Sequence, residues 1–212
     1  MVKFSALLLD IEGTITSISF VKDTLFPYAY NAVESFIREH FEDELMTEII
    51  ADIRDVSERE SKSTISFWCF SDVRSRTFVV LIINECMFSI YPDVLSVLQS
   101  LSVPVYIYSS GSVLAQKLLF GNSVVGDVTK NLSGYFDTNV GLKGESESYE
   151  KICKEIGVNP SDVLFLTDVE AEARAARAAG VQVILVVRDG NSPLSEEAKQ
   201  DFRVIHSLEE IC

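Results

Sequence analysis

The chain has 212 residues, 47% of them apolar and 24% charged, which suits one sizeable globular domain, or a core of about 150 residues with an insert, and excludes a disordered chain. Its net charge of −14, from 18 Lys and Arg against 32 Asp and Glu, argues against a nucleic-acid partner, because holding a phosphate backbone needs clustered cations. Cys69, Cys86, Cys153 and Cys212 form no CxxC pair and read as reduced thiols of a cytosolic protein, and His40 and His206 alone do not make a histidine zinc site. The N-terminal apolar run is cut by Asp10, too early for a signal peptide, and Phe78 to Ile83 is far short of a membrane span, so no membrane association is expected.

The first element is a strand. Ala6 to Leu9 is a continuous apolar run of the kind buried on both faces of a parallel sheet, and it delivers Asp10, then Glu12, Gly13 and Thr14. Two acids at a strand end cost free energy by desolvation and repulsion unless a cation or substrate compensates, so a site is expected there. The competing reading is an Asp-initiated turn with Gly13 at positive φ. Ile15 to Lys22 is a Thr/Ser-rich connection, and Asp23 to Pro27 resembles a helix entry with Asp23 as N-cap. Tyr28 to His40 is helically spaced, Phe41 to Arg59 is an acidic amphipathic stretch, and Ser61 to Ser66 is a polar break. From Phe67 to Tyr91 periodicity does not separate helix from strand.

From Pro92 onward strands and helices alternate. Pro92 to Leu101 is a helix, Val103 to Tyr108 a buried strand ending in Ser109-Ser110-Gly111-Ser112, and Val113 to Phe120 a helix closed by Gly121. Asn122 to Gly134 reads as a loop, Tyr135 to Val140 as a short strand, and Ser146 to Ile156 as a helix ending at Gly157. A turn at Asn159 to Asp162 leads into the strand Val163 to Thr167, with Asp168 at its carboxyl end. A helix over Glu170 to Ala179, stopped by Gly180, and a strand over Gln182 to Val187 follow. This alternation predicts an α/β fold with a doubly wound parallel sheet, Rossmann-like, interrupted by a helical insert after the first strand. The expected division is a core of residues 1–22 and 91–212 with a cap of residues 23–90.

Four places carry candidate chemistry: Asp10 with Glu12, Ser109 with Ser110, Lys143, and Asp168. Singly, the serines fit a turn, Lys143 a solvated loop and Asp168 a helix cap. Together they lie at strand ends sharing one edge of a right-handed parallel sheet. Carboxylates suit Mg²⁺, which keeps several waters and takes one or two carboxylates plus substrate phosphate. Hydroxyls, a lysine and the amides at the start of the helix after Gly111 suit phosphate oxygens. The set describes phosphoryl transfer.

In that order the motifs resemble those of the haloacid dehalogenase-like hydrolases. Leu8 to Thr14, Ser19 to Asp23 with Leu25 to Tyr28, Tyr106 to Ser112 with Ala115 to Gly121, Glu145 to Tyr149 and Leu164 to Asp168 further resemble the enolase-phosphatase family of methionine salvage. The resemblance covers residues 5–40 and 92–193. It weakens over roughly 42–90, where the insert is short and Trp68 is displaced from the family pattern, and Asp189 stands where that family would carry proline.

The resemblance implies a haloacid dehalogenase-like core with a cap, and a cytoplasmic enzyme, also nuclear if the source is eukaryotic. It implies a monomer acting on a small phosphorylated molecule, 2,3-diketo-5-methylthiopentyl 1-phosphate, which is enolised and then dephosphorylated to an acireductone. It further implies Asp10 as nucleophile, Glu12 as acid and base, Ser109, Ser110 and Lys143 around the phosphate, and Mg²⁺ held by Asp10, Asp168 and the Glu12 carbonyl. That Glu12 also takes the proton at the enolising carbon is a hypothesis built on its extra methylene. The alternatives are a relative acting on another phosphorylated metabolite and a phosphoprotein-binding module without activity.

Overall fold

The computed structural model describes residues 3–25 and 87–211, together with residues 27, 28, 31 and 38. Six strands form a single sheet in the order β3-β2-β1-β4-β5-β6, every neighbouring pair parallel. They are β1 (Ala6–Leu9), β2 (Val105–Tyr108), β3 (Gly134–Phe136), β4 (Val163–Thr167), β5 (Gln182–Val186) and β6 (Arg203–Ile205). The intervening helices are α1 (Pro92–Ser100), α2 (Val113–Gly121), α3 (Ser146–Ile156), α4 (Glu170–Ala178) and α5 (Glu196–Asp201). The strand order reverses between β1 and β4, the position at which open α/β sheets bind ligands beyond their carboxyl ends. Leu9 lies opposite Ile107 on one side and Leu166 on the other, so Asp10 leaves the sheet between two strand ends.

Alternating strand side chains serve two cores, because successive residues point to opposite faces. Leu7, Leu9, Ile107, Leu164, Leu166 and Ile184 pack on one face with Val94, Val97 and Leu98 of α1 and Phe120 of α2. Ala6, Leu8, Tyr108 and Phe165 pack on the other with Tyr149 and Ile152 of α3 and Ala175 and Ala176 of α4. Burial on both faces explains why the strands read as continuous apolar runs. The doubly wound expectation holds. Pro92 opens α1, and Gly157 (φ 71) caps α3 in the left-handed conformation.

Several local expectations are corrected. Gly121 is the last residue of α2 rather than its cap, which is Asn122 at φ −123. β3 stops at Phe136, because Asp137 turns away to bond the start of α2. Asp23 lies inside a π-helical turn, Phe20–Leu25, instead of capping a helix. Residues 122–134, expected as plain loop, include a 3₁₀ turn at Thr129–Asn131. The stretches Phe41 to Arg59, Ser61 to Ser66 and Phe67 to Ile83 lie outside the described residues, as do Cys69, Cys86 and Cys212. Residues 15–16 lie beside residues 89–91, since Tyr91 N–H donates to Ile15 O (2.9 Å) and Thr16 Oγ1 to Ser89 O (2.5 Å). Among the described residues no helix is long and apolar enough to cross a membrane.

Candidate active site

Asp10 is 4% exposed, and its amide donates to Leu166 O (3.0 Å), continuing the ladder one residue past β1. A turn follows in which Gly13 adopts φ 69. A Cβ at Gly13 would lie 2.3 Å from Asp168 Oδ2, so only glycine lets this turn approach the end of β4 so closely. Asp168 and the Asp10–Glu12 turn are thereby brought into one crevice. Val169, not Asp168, is the N-cap of α4 and has no side-chain cap bond, which removes the helix-cap reading of Asp168.

Lys143 is not a solvated loop cation. Its Nζ reaches Asp10 Oδ1 at 2.5 Å and Glu172 Oε2 at 2.9 Å, and its side chain is only 9% exposed. The loop that delivers it is fixed by hydroxyl donors: Tyr108 bonds Gly141 O (2.9 Å), Ser148 bonds Leu142 O (2.8 Å) and Tyr149 bonds Lys143 O (2.6 Å). Gly141 (φ 146) is required here, because a Cβ would meet Ser148 Oγ at 2.1 Å. Glu172 in turn accepts from Thr167 Oγ1 (2.8 Å). Burial alone would lower the Lys143 pKa, but Asp10 and Glu172 outweigh it and hold the ammonium above the ordinary lysine range.

The acids respond in the opposite sense. Burial first, then the charge of Asp10, raises Glu12 to about 7. Burial, Asp10 and Glu172 raise Asp168 to about 7, and Glu172 is also raised, chiefly by burial. Among the described residues, Lys143 is the one ammonium in contact with this acidic group, through Asp10 and Glu172, and its charge also acts on Glu12 and Asp168. Among the described residues no three or more His, Cys, Asp or Glu side chains are grouped to hold an ion. Around the turn, however, the carbonyls of Ile11, Thr16, Gly13, Thr14 and Ile15 each accept a hydrogen bond, whereas among the described residues the Glu12 carbonyl accepts none.

Ser109 and Ser110 stand at the carboxyl end of β2, on the same edge as Asp10, with Ser110 exposed and Ser109 Oγ accepting from Gly111 N–H (3.2 Å). Of the amides at the start of α2, Val113 N–H donates to Asp137 Oδ2 (3.0 Å) and Ala115 N–H to Ser112 Oγ (3.3 Å), so these two are already engaged within the protein. Sequence reasoning also passed over Glu172, whose signal was its place one helical turn after Asp168, and Tyr108 and Tyr149, which look like ordinary core aromatics.

Comparison with known proteins agrees with this geometry. A family model described as haloacid dehalogenase-like hydrolase matches residues 4–180. Enolase-phosphatase E1 of Caenorhabditis briggsae is 49% identical over 242 aligned positions, covering 99% of this chain and 97% of that protein. The protein of the same name from Sulfurihydrogenibium is 40% identical over 226 positions, covering 97% and 96%. The crystal structure of the UTR4 protein of Saccharomyces cerevisiae superposes with a TM-score of 0.80 at 32% identity, covering 97% of this chain and 99% of that one. With a carboxylate-bearing strand end, a lysine clamped to it and relatives aligned nearly end to end, the chain belongs to the haloacid dehalogenase-like hydrolases and, within them, to the enolase-phosphatase E1 family.

Proposed function

We propose that this chain enolises 2,3-diketo-5-methylthiopentyl 1-phosphate and then removes its phosphate, yielding an acireductone for methionine salvage. The observation that carries the reading is the Lys143 bridge between Asp10 and Glu172 beside an acid, Glu12, whose pKa is raised to about 7. Oriented by Lys143, the Asp10 carboxylate attacks phosphorus, so one difficult hydrolysis becomes formation and breakdown of an aspartyl phosphate. Lys143 also offsets charge on the phosphoryl oxygens, with the Ser109 and Ser110 hydroxyls as further donors. A Glu12 that titrates near neutrality donates a proton to the leaving oxygen, then accepts one from the attacking water. The same exchange, directed at carbon, serves the enolisation.

The donor set fits a hard divalent cation, and we assign Mg²⁺. Two carboxylates, Asp10 and Asp168, stand with the unpartnered Glu12 carbonyl in a crevice with excess negative charge. When bound, the ion supplies charge neutralisation between the nucleophile and the phosphate dianion. We also propose a monomeric cytoplasmic enzyme, in keeping with the reduced, buried Cys153, and a helical cap formed by residues 23–90. The adjacency of residues 15–16 to residues 89–91 supports such an insert.

The test is anaerobic turnover of the diketone phosphate with Mg²⁺, following enediol and phosphate together. Both should form with wild type, and a folded Asp10→Asn variant should release no phosphate, since the amide is not a competent nucleophile. Phosphate release by that variant at the wild-type rate would overturn the covalent route.

A further inference from the structure

The turn after the nucleophile is braced by residues that no step above uses. Ile11 O accepts from the amides of Thr14, Ile15 and Thr16, Thr16 O accepts from Gly13 N–H, and Ile15 O from Tyr91 N–H. Gly13 O and Thr14 O have no backbone donor, and both are reached from the segment after β5. Asn191 Nδ2 donates to Gly13 O at 3.0 Å, with a longer bond to Val186 O at 3.4 Å. Arg188 Nη2 donates to Thr14 O at 3.3 Å. Arg188 is itself immobilised by Asp93 Oδ2 (2.8 Å), by His206 O (2.9 Å) and by the Tyr91 ring, whose centroid is 4.3 Å from the guanidinium carbon.

Glu12 depends on this bracing. Among the described residues no hydrogen bond holds its carboxyl, so the aim of the acid is set by the backbone that carries it. That backbone is confined on one side by the contact of Gly13 with Asp168 and on the other by Asn191 and Arg188. We infer that Asn191, supported by Arg188, is a positioning residue for Glu12, acting through the Gly13–Thr14 peptide rather than by touching substrate. The inference rests on the assignment of Glu12 as acid and base made above. Without the bond to Gly13 O that peptide is held only through Thr14 N–H, by a long bond to Ile11 O (3.3 Å), and Glu12 then samples orientations in which proton transfer fails, while Lys143 continues to hold phosphate.

The test uses the full-length protein and the variants Asn191→Ala and Asn191→Asp. Aspartate keeps the shape of asparagine but, when ionised, has no proton for Gly13 O, so a role confined to packing would leave it close to wild type. With p-nitrophenyl phosphate and Mg²⁺, both variants are expected to lose about tenfold or more in kcat with KM changed less than about twofold, the pattern of an interaction expressed in the transition state. In the absence of substrate, hydrogen exchange at the Gly13 and Thr16 amides should accelerate by about tenfold, with β4 keeping its wild-type protection, since the opening is local. An Asn191→Asp variant with wild-type kcat, unchanged exchange in the turn, or acceleration spread evenly over the chain would overturn the inference. Should wild type hydrolyse the aryl ester but not the diketone phosphate, the substrate assignment fails and the positioning role stands.

Discussion

At the scale of single residues, the site is defined by an imbalance of charge. Replacing Lys143 by Met removes, among the described residues, the only ammonium bound to Asp10 and Glu172. Loss of a charge-stabilising donor of this kind costs about 3–4 kcal/mol in the transition state, so kcat/KM should fall by roughly 10²–10³-fold. Phosphate-release kinetics on a variant shown folded by circular dichroism checks this, and a fall below about tenfold would return Lys143 to a structural role. The acids give a second expectation. Glu12 and Asp168, both raised to about 7, bind protons more tightly in the folded than in the unfolded chain. Their contribution to stability is therefore complete below the unfolded carboxyl range near 4 and is lost as pH rises through about 7. The melting temperature of metal-free protein should fall over that window. Asp168→Asn, or added Mg²⁺, should flatten the slope, and an unchanged slope in both would mean that the acids are not electrostatically frustrated.

At the scale of elements, α1 is joined to the C-terminal segment through one carboxylate. Asp93, in its first turn, accepts from Arg188 (2.8 Å), from Ser207 Oγ (3.0 Å) and from Leu208 N–H (2.6 Å). Burial pushes its pKa up, but these donors outweigh burial and hold the carboxyl below the usual range. A depressed carboxyl stabilises the fold above its unfolded pKa and stops doing so as pH falls through the folded one. Asp93→Asn should accordingly lower the melting temperature at pH 7, and the difference from wild type should shrink as pH drops below about 4. A difference that persisted unchanged at low pH would show that hydrogen bonding alone, without the charge, makes the joint. Because Arg188 also braces Thr14, this joint connects the packing of α1 to the turn that carries Glu12.

At the scale of the whole molecule, the proposed insert ends earlier than the sequence suggested. Phe88 and Ile90, within the span assigned to the cap, are core residues: Phe88 is 1% exposed and packs edge-on against Phe20 and Phe120. Phe88→Ala should cost roughly 3–5 kcal/mol, readable from urea unfolding. A trimmed protein intended to lose the insert must therefore end its deletion before Met87. Removing residues 42–86 is expected to leave weak Mg²⁺-dependent hydrolysis of a small aryl phosphate and to abolish preference for the diketone phosphate, because an open crevice lacks solvent exclusion and remote contacts. Full preference in a folded trimmed core would place specificity in the loops at residues 15–22 and 122–134.

Sequence by itself determined five of the six strands and most of the candidate site's edge, but not β6. Apolar runs at Ala6–Leu9 and Val163–Thr167 can be satisfied only by burial on both faces, and the acids that end them have nowhere to go but the strand tips. Gly157 and Pro92 marked helix ends because their φ preferences are local. Tertiary structure decided what depends on approach between distant segments. That Lys143 is a buried clamp follows from three hydroxyls brought to its loop by β2 and α3, and that Asp168 is not a cap follows from its contact with Gly13. The Val113 amide at the start of α2 is taken by Asp137, a residue of no local consequence until β3 placed it there. The bracing role of Asn191 and Arg188 carried no signal, since the turn carbonyls they reach lie more than 170 residues away, and a carbonyl has the same chemistry at every position in the chain.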